Sequence, residues 1–318
     1  MKIVYITGCL GFIGSYVTQA CLDEGWFVYG IDKCTYASNA FKLNDFFLNP
    51  RFKFEEKDIN DVDRLVDCDY FINIAAETHV DNSIRKSDDF IHSNICGVHN
   101  MLELLKQYQK EGYITPTFFH FSTDEVYGDI TDGAHNEKDL LVPSNPYSAT
   151  KAAADQLILA WARTYKIPFN IVRPTNNYGS GQYVEKLIPK TCKFLTLGRK
   201  IPLHNSGSPV RNWLNAKDTA RAVVQIIKNG SKNEIYNIAG NYEESNIEVV
   251  KKIIKAYFGE LPDDYQDKYI DLNFARPGID VRYALDDSKL RSIGWKPICD
   301  FDQEIIEIVK YYKENFVW

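Results

Sequence analysis

The stretch Lys2-Ile3-Val4-Tyr5-Ile6-Thr7-Gly8-Cys9-Leu10-Gly11-Phe12-Ile13-Gly14 decides the architecture. It begins as a short apolar run, ends in a segment of helical period, and carries three glycines spaced three apart between them. A strand that passes into a helix through Gly8, Gly11 and Gly14 can turn tightly, let a pyrophosphate approach the backbone, and pack the helix close to the sheet. The spacing is G-x-x-G-x-x-G, not the commoner G-x-G-x-x-G, so the glycines need a second signal. Eighteen residues after Gly14 the next apolar run ends at Asp32. A carboxylate at that strand end can hold the 2′- and 3′-hydroxyls of an adenosine ribose. It also repels a 2′-phosphate, which favours NAD over NADP, although Lys33 beside it works in the other direction.

The alternation continues outward. Apolar runs at 2–6, 27–31, 52–55, 69–74, 117–122 and 169–173 read as strands buried on both faces, and segments near 13–24, 90–110 and 147–165 read as the helices between them. Strands and helices in turn predict an α/β fold built on a doubly wound parallel sheet. Beyond about residue 174 the pattern becomes irregular and richer in Pro, Gly and Asn, which predicts a second, smaller, mixed α/β domain. Residues 212–229 and Glu234–Ile238 again read as strand, helix and strand, so the chain is expected to return to the first sheet at about 211–239.

A length of 318 residues suits about two domains, and 45% hydrophobic with 25% charged residues is an ordinary globular composition. The net charge of −6 excludes a dedicated nucleic-acid binder, and an anionic ligand would need a local basic pocket. Seven cysteines, Cys9, Cys21, Cys34, Cys68, Cys96, Cys192 and Cys299, are scattered with no Cys-x-x-Cys pair, which predicts reduced thiols and no metal site. No apolar run reaches the length of a membrane span, and no leader-like segment precedes the first strand, so a cytoplasmic chain without a membrane partner is expected.

Ser144-Asn145-Pro146-Tyr147 reads as a helix start, with Asn145 as the cap and Pro146 in the first position. Tyr147 and Lys151 then stand at i and i+4 on one face. A phenol with its ordinary pKa of about 10 is a poor base near neutrality. An adjacent ammonium and a cationic nicotinamide would favour the phenolate.

Tyr147-x-x-x-Lys151 with the glycine triplet resembles the extended short-chain dehydrogenase/reductase superfamily, whose nucleotide domain is a Rossmann fold. Ser122-Thr123-Asp124-Glu125-Val126-Tyr127-Gly128 is similar to the signature of its nucleotide-sugar 4,6-dehydratases. The likeness runs along nearly the whole chain, through Ala75-Ala76-Glu77-Thr78-His79-Val80-Asp81-Asn82-Ser83, Asn176-Asn177-Tyr178-Gly179, Glu185-Lys186-Leu187-Ile188-Pro189 and Arg276-Pro277-Gly278. It implies an NAD-binding domain at 1–174, with the return at 211–239, and a sugar-nucleotide domain at 175–210 and 240–318.

The resemblance implies a lyase of deoxysugar (rhamnose-type) biosynthesis with tightly bound NAD that is regenerated in each cycle. Tyr147, assisted by Thr123 and Lys151, would take the proton of the glucose 4-hydroxyl while the C4 hydride passes to NAD⁺. Glu125 and Asp124 would be the base and acid that remove the C5 proton and expel the 6-hydroxyl as water. Cofactor contacts would fall on Gly8, Gly11, Phe12, Ile13 and Gly14, on Asp32, Lys33, Cys34 and Thr35, and on Asp58 and Ile59 at the adenine. Others would fall on Ile74, Ala75, Ala76, Glu77 and Thr78, and on Ser93, Tyr147, Lys151 and Asn177. Substrate contacts would fall on Thr78, Thr123, Asn176, Lys186 and Leu187, on Pro202, Leu203 and His204, and on Arg211, Asn246, Arg276, Pro277, Gly278, Ile279 and Asp280. Arg211 and Arg276 could bind a diphosphate through forked donors.

Two positions depart from the family pattern. Ile279 stands where the family has His, and His204 where many thymidine-nucleotide enzymes have Tyr. The segments Thr78 to Ser83 and Pro202 to His204 look closer to the UDP-glucose type, so UDP-glucose is expected ahead of dTDP-glucose. The acidic pair, which epimerases of the superfamily lack, favours dehydration. An NDP-sugar 4-epimerase and a non-catalytic NAD-binding regulatory protein stay open as alternatives. The helices near 90–110 and 147–165 carry Ile91, Ile95, Val98, Met101, Leu102, Leu105, Leu157, Ile158 and Trp161 on more than one face. Relatives pair such helices in a four-helix bundle, so a homodimer is expected.

Overall fold

The computed structural model describes residues 1–274 and 280–315. Its strands, in chain order, are β1 (Ile3–Thr7), β2 (Phe27–Asp32), β3 (Phe52–Glu56), β4 (Tyr70–Asn73), β5 (Thr117–Phe121), β6 (Phe169–Pro174), β7 (Asn176–Tyr178), β8 (Ile201–His204), β9 (Val210–Asn215), β10 (Glu234–Ile238), β11 (Tyr242–Ser245) and β12 (Ile270–Phe274). The large sheet has the order β10-β6-β5-β4-β1-β2-β3, with every neighbouring pair parallel. The order reverses direction between β1 and β4. That switch point opens a crevice at the carboxyl ends of the strands, where ligands of such sheets bind.

Alternate residues of the central strands feed two cores. Val4, Ile6, Val28, Ile72 and Phe119 pack with Val17, Cys21, Ala220, Val223 and Ile227 on one face. Tyr5, Ile31, Phe71 and Phe118 pack with Val98, Met101, Leu102, Leu105, Ala154 and Ile158 on the other. Each fully buried Leu or Met contributes about 1.5–3 kcal/mol by leaving water. β3 departs from the expectation of burial on both faces. It is the sheet edge, where Lys53, Glu55 and Glu56 are exposed and Phe52 supplies the buried contact against Phe46 of the helix Lys42–Phe47.

The segment near 90–110 is one helical rod with an irregular middle. Asp88–Phe90 leads into a π-helical turn, Ile91–Cys96, which passes into the α-helix Gly97–Lys110. A Cβ at Gly97 would meet the side-chain end of Ile59, which would have to turn aside, so glycine lets the rod lie close to the loop after β3. The helix Pro146–Tyr165 starts with Asn145 as cap and Pro146 in its first turn, and a reciprocal capping box with Ser148 closes it.

After β6 the chain leaves the large sheet. β7, β9 and β11 form a second sheet in the order β11-β9-β7, and β8 pairs with β12. The helix Ala216–Asn229 and strand β10 rejoin the first sheet, but β9, expected to come back with them, does not. Asn212 explains the difference: its side chain takes hydrogen bonds from Thr175 Oγ1 (2.9 Å) and Gly240 N (2.7 Å), tying β9 to the exits of β6 and β10. A separate core of Tyr178, Ile188, Trp213, Val249, Ile253, Phe301 and Ile305 underlies this region. Among the described residues, no helix is long and apolar enough to cross a membrane.

Candidate active site

The crevice is lined by the loops that leave β1, β2, β3, β4, β5 and β6. At one end the glycine turn closes on itself. Gly8 has φ +69°, and a Cβ there would stand 2.7 Å from Ala75 N; a Cβ at Gly14 would fall inside Gly8 O. The Asp32 carboxylate ties this turn to the end of β2, accepting from Leu10 N (3.0 Å) and Cys34 N (2.9 Å). Burial pushes its pKa up, and these backbone donors with Lys33 oppose the rise. Lys33 is itself engaged, with Nζ 3.4 Å from Asp58 and 3.9 Å from Glu77. Its charge is thus partly spent on carboxylates, which weakens it as a partner for a 2′-phosphate.

Of the residues expected at the cofactor, Gly8, Gly11, Phe12, Ile13, Gly14, Asp32, Lys33, Thr35, Asp58, Ile59, Ile74, Ala75, Ala76, Glu77, Thr78, Ser93, Tyr147 and Asn177 line the crevice. Cys34 and Lys151 are outside that lining, and Cys34 contributes its backbone N–H to Asp32. Of those expected at the substrate, Thr78, Thr123, Asn176 and Lys186 line it. Leu187, Pro202, Leu203, His204, Arg211, Asn246 and Asp280 stand outside the lining. Leu203 is a correction: its side chain is buried in the second core, so only its backbone can face a ligand. Arg276, Pro277, Gly278 and Ile279 lie outside the described residues.

At the other end stands the acidic turn after β5. Thr123 caps it, accepting from Glu125 N (3.3 Å) and donating to Asp124 Oδ1 (3.0 Å). Asp124 is 3% exposed, and its Oδ2 has no hydrogen-bond partner among the described residues. Burial, then the neighbouring Glu125 charge, push its pKa up to about 7. Burial raises Glu125 too, but a hydrogen bond from Asn145 and the charges of Arg211 and Lys186 hold it back. Asp124 therefore keeps its proton to near neutrality, and Glu125, raised by burial as well, takes its largest support for the ionised form from Asn145.

Tyr147 hydrogen-bonds with Thr123, and burial followed by the Glu125 charge raises its phenol pKa. Lys151, expected to favour the phenolate together with a cationic nicotinamide, has a neighbour of its own. Lys151 Nζ lies 3.4 Å from His120 Nε2, and burial pulls its own pKa down to about 8. His120 is fully buried and held near neutral charge by that burial, and its Nδ1 lies 3.1 Å from Asn73 Nδ2.

Several residues that build the site have no motif of their own. Asp155 accepts from Ser122 Oγ (3.0 Å) and Arg173 Nε (3.0 Å), and Arg173 NH1 donates to the Tyr127 hydroxyl (2.6 Å). This buried network grips both ends of the acidic turn. The signal for Asp155 was its spacing, four residues after Lys151 and eight after Tyr147. Asn94, in the π-helical turn, donates to Glu77 O (3.0 Å) and Thr150 Oγ1 (2.9 Å), fixing the loop after β4 against the helix of Tyr147.

Comparison with known proteins extends along the full chain. The family described as GDP-mannose 4,6 dehydratase matches residues 5–308. A dTDP-glucose 4,6-dehydratase of Neisseria meningitidis serogroup B is 40% identical over 339 residues, spanning 100% of this chain and 95% of that one. Another, from Haemophilus influenzae, is 38% identical over 334 residues and 99% of each chain. Among solved structures, DesIV, the dTDP-glucose 4,6-dehydratase of Streptomyces venezuelae crystallised with NAD, matches with a TM-score of 0.90 at 33% identity over 99% of this chain and 98% of that one. A UDP-glucuronic acid 4-epimerase of Bacillus cereus, crystallised with UDP-glucuronic acid and NAD, matches with a TM-score of 0.88 at 25% identity over 98% of this chain and 99% of that one.

Proposed function

The chain belongs to the nucleotide-sugar 4,6-dehydratases of the extended short-chain dehydrogenase/reductase superfamily, and from that premise we propose that it converts dTDP-glucose to the 4-keto-6-deoxy sugar nucleotide and water. The observation that carries this is the buried pair Asp124 and Glu125 beside Tyr147, with burial holding the Asp124 proton to near neutrality and with Asn145, Arg211 and Lys186 opposing the rise that burial causes at Glu125. The sequence favours UDP-glucose; the three dehydratases named above, at 33–40% identity, are dTDP-glucose enzymes, whereas the UDP-sugar epimerase matches at 25%, so dTDP-glucose is taken first and UDP-glucose second. The division of labour proposed for the two domains follows, with the large sheet for the dinucleotide and the remainder for the sugar nucleotide. The product suits the biosynthesis of 6-deoxy sugars of the rhamnose type.

The residues present fit NAD. A side chain at Gly8 or Gly14 would fill the turn that a pyrophosphate needs, and Asp32 stands at the strand end where a ribose diol would lie. Bound NAD would supply the hydride chemistry, an acceptor for the C4 hydrogen of the glucose and a donor to C6. Tyr147 takes the proton of the 4-hydroxyl, with Thr123 in hydrogen-bond contact. The resulting ketone acidifies C5, Glu125 removes that proton, and Asp124 protonates the departing 6-hydroxyl; when the hydride arrives at C6, Glu125 returns the proton to C5, and the proton taken by Tyr147 makes good the one that left with the water. No net oxidation occurs, and one water leaves.

Product mass after incubation with dTDP-glucose and with UDP-glucose tests the reaction and the base preference together. Loss of one water from either supports dehydration; exchange of a C5 deuterium with no loss of water would instead support an epimerase. Gly14→Ala should yield protein with little bound dinucleotide, measured in the supernatant after denaturation. Wild-type-like NAD content in that variant, or NADP as the dominant nucleotide in the wild type, would contradict the cofactor assignment.

We also propose a homodimer through the helices at 80–110 and 146–165. Ile84 and Ile91 are exposed there, and Ile95, Leu157 and Trp161 are half-buried. Light scattering at micromolar concentration should give twice the monomer mass, and a monomer would contradict the assembly.

A further inference from the structure

Two hydrogen-bond systems meet at Asn145. As cap of the helix Pro146–Tyr165, its Oδ1 accepts from Ser148 N at 2.9 Å, and its own N–H donates to Ser148 Oγ at 3.3 Å. An amide whose oxygen is committed to the cap must turn its NH₂ the other way. That Nδ2 donates to Glu125 Oε2 at 3.2 Å. The orientation of the amide is therefore set by the helix end and not by the carboxylate it meets. Asn145 is 8% exposed, so water competes poorly for either bond. Ser144 anchors the same turn from the far side, donating to Asp280 Oδ2 at 2.6 Å.

Of the residues that cap helices well, Asn alone serves both sides of this position. Ser caps as an acceptor, but its hydroxyl ends one bond nearer the backbone than the Asn amide and stops short of Glu125. Asp caps through one oxygen, and its second oxygen would put an acceptor and a negative charge against Glu125.

We propose that Asn145 is a positioning residue for the elimination half of the reaction, its amide aimed by the helix cap so that the Glu125 carboxylate is held where it abstracts the C5 proton. This rests on the reading of Glu125 as the base under the proposed function. The charged and titratable groups around Glu125 come from every side: Asp124 on its own turn, Tyr147 on the capped helix, Lys186 ahead of the helix Leu187–Thr196, Arg211 on β9, and Asp280 and Tyr283 after β12. Burial is the largest influence and disfavours the carboxylate; the Asn145 hydrogen bond is the next largest and favours it, followed by Arg211 and Lys186.

The test uses the full chain with its cofactor, as wild type, as Asn145→Ser and as Asn145→Asp. Both variants keep a good cap, so their melting temperatures should stay near that of the wild type. Asn145→Ser should slow exchange of the C5 proton with deuterated solvent by about tenfold or more, the worth of a hydrogen bond to a charged group. KM for the sugar nucleotide should hardly change. Loss of the donor raises the pKa of Glu125, so the acidic limb of the kcat profile should move to higher pH in Asn145→Ser and further in Asn145→Asp. If Asn145 were only a structural cap, any change would be confined to the melting temperature and the pH profile would stay in place, and that result overturns the proposal. Wild-type C5 exchange and pH profile in both variants also overturn it, with the wild-type enzyme still dehydrating its substrate. A wild-type protein that takes no water from dTDP-glucose or UDP-glucose overturns the proposed function, and this inference with it.

Discussion

Tyr147→Phe is expected to stop the reaction before it starts, and Asp124→Asn to stop it midway. Removing the phenol leaves the 4-hydroxyl without a base, so mixing with dTDP-glucose should produce neither reduced-cofactor absorbance nor product. Asp124→Asn preserves shape in a site where the native carboxyl keeps its proton to about pH 7. Oxidation at C4 should survive it, a 4-keto hexose should accumulate, and loss of water should slow by ~10²–10⁴, the usual worth of a positioned acid. Glu125→Gln should also allow oxidation while suppressing C5 exchange. Near wild-type dehydration by both carboxamide variants would mean that the acid and base lie elsewhere.

The same substitution carries a stability signature. Because the folded Asp124 holds its proton above the pH at which the unfolded chain gives it up, its relative contribution is fully present below about pH 4 and is lost as pH rises through about 7. At pH 8 the native protein thus holds a buried, poorly matched charge. Asp124→Asn should melt higher than the wild type at pH 8, and the gap should narrow towards pH 4.

The largest loss of stability is expected at Arg173. Its guanidinium lies 2.9 Å from Asp155 Oδ2, with the two side chains 2% and 0% exposed. Arg173→Met would leave that carboxylate buried without its cation and remove the donor to Tyr127, a change worth about 3–5 kcal/mol. Urea unfolding should show it as a lower midpoint. Arg173→Met with Asp155→Leu should recover most of the loss, since two apolar groups leave no orphaned charge. A single-variant loss below about 1 kcal/mol would contradict the role given to this pair.

The parts of the fold legible in the sequence are those that local pattern encodes. Apolar runs alternating with helical period specify β1, β2, β4, β5 and β6, because burial on both faces selects side chains residue by residue along the strand. Gly8 and Gly14 are legible for a related reason, since their demand for a missing Cβ is met by residue type alone. The cap at Asn145 and the shared face of Tyr147 and Lys151 follow from spacing within one helix. Sequence pattern alone could not show that β9 pairs with β7 and β11, because a strand's partner depends on where its neighbours lie. Here Asn212 reaches Thr175 and Gly240, 37 and 28 residues away. The edge position of β3 is the same kind of fact.

Within the candidate site the boundary falls between residue identity and residue state. The presence of Asp124, Glu125, Tyr147 and Lys151 in one segment pair was determined by the sequence. Which carboxyl keeps its proton, which way Lys151 turns, and what holds Glu125 were decided only by tertiary structure. Those properties depend on burial and on groups brought in from far along the chain, such as Arg211 near the acidic pair and His120 at Lys151. Spacing along a helix can set two side chains on one face, but the desolvation and charge that tune them exist only once the sheet, the second core and the acidic turn have closed around them.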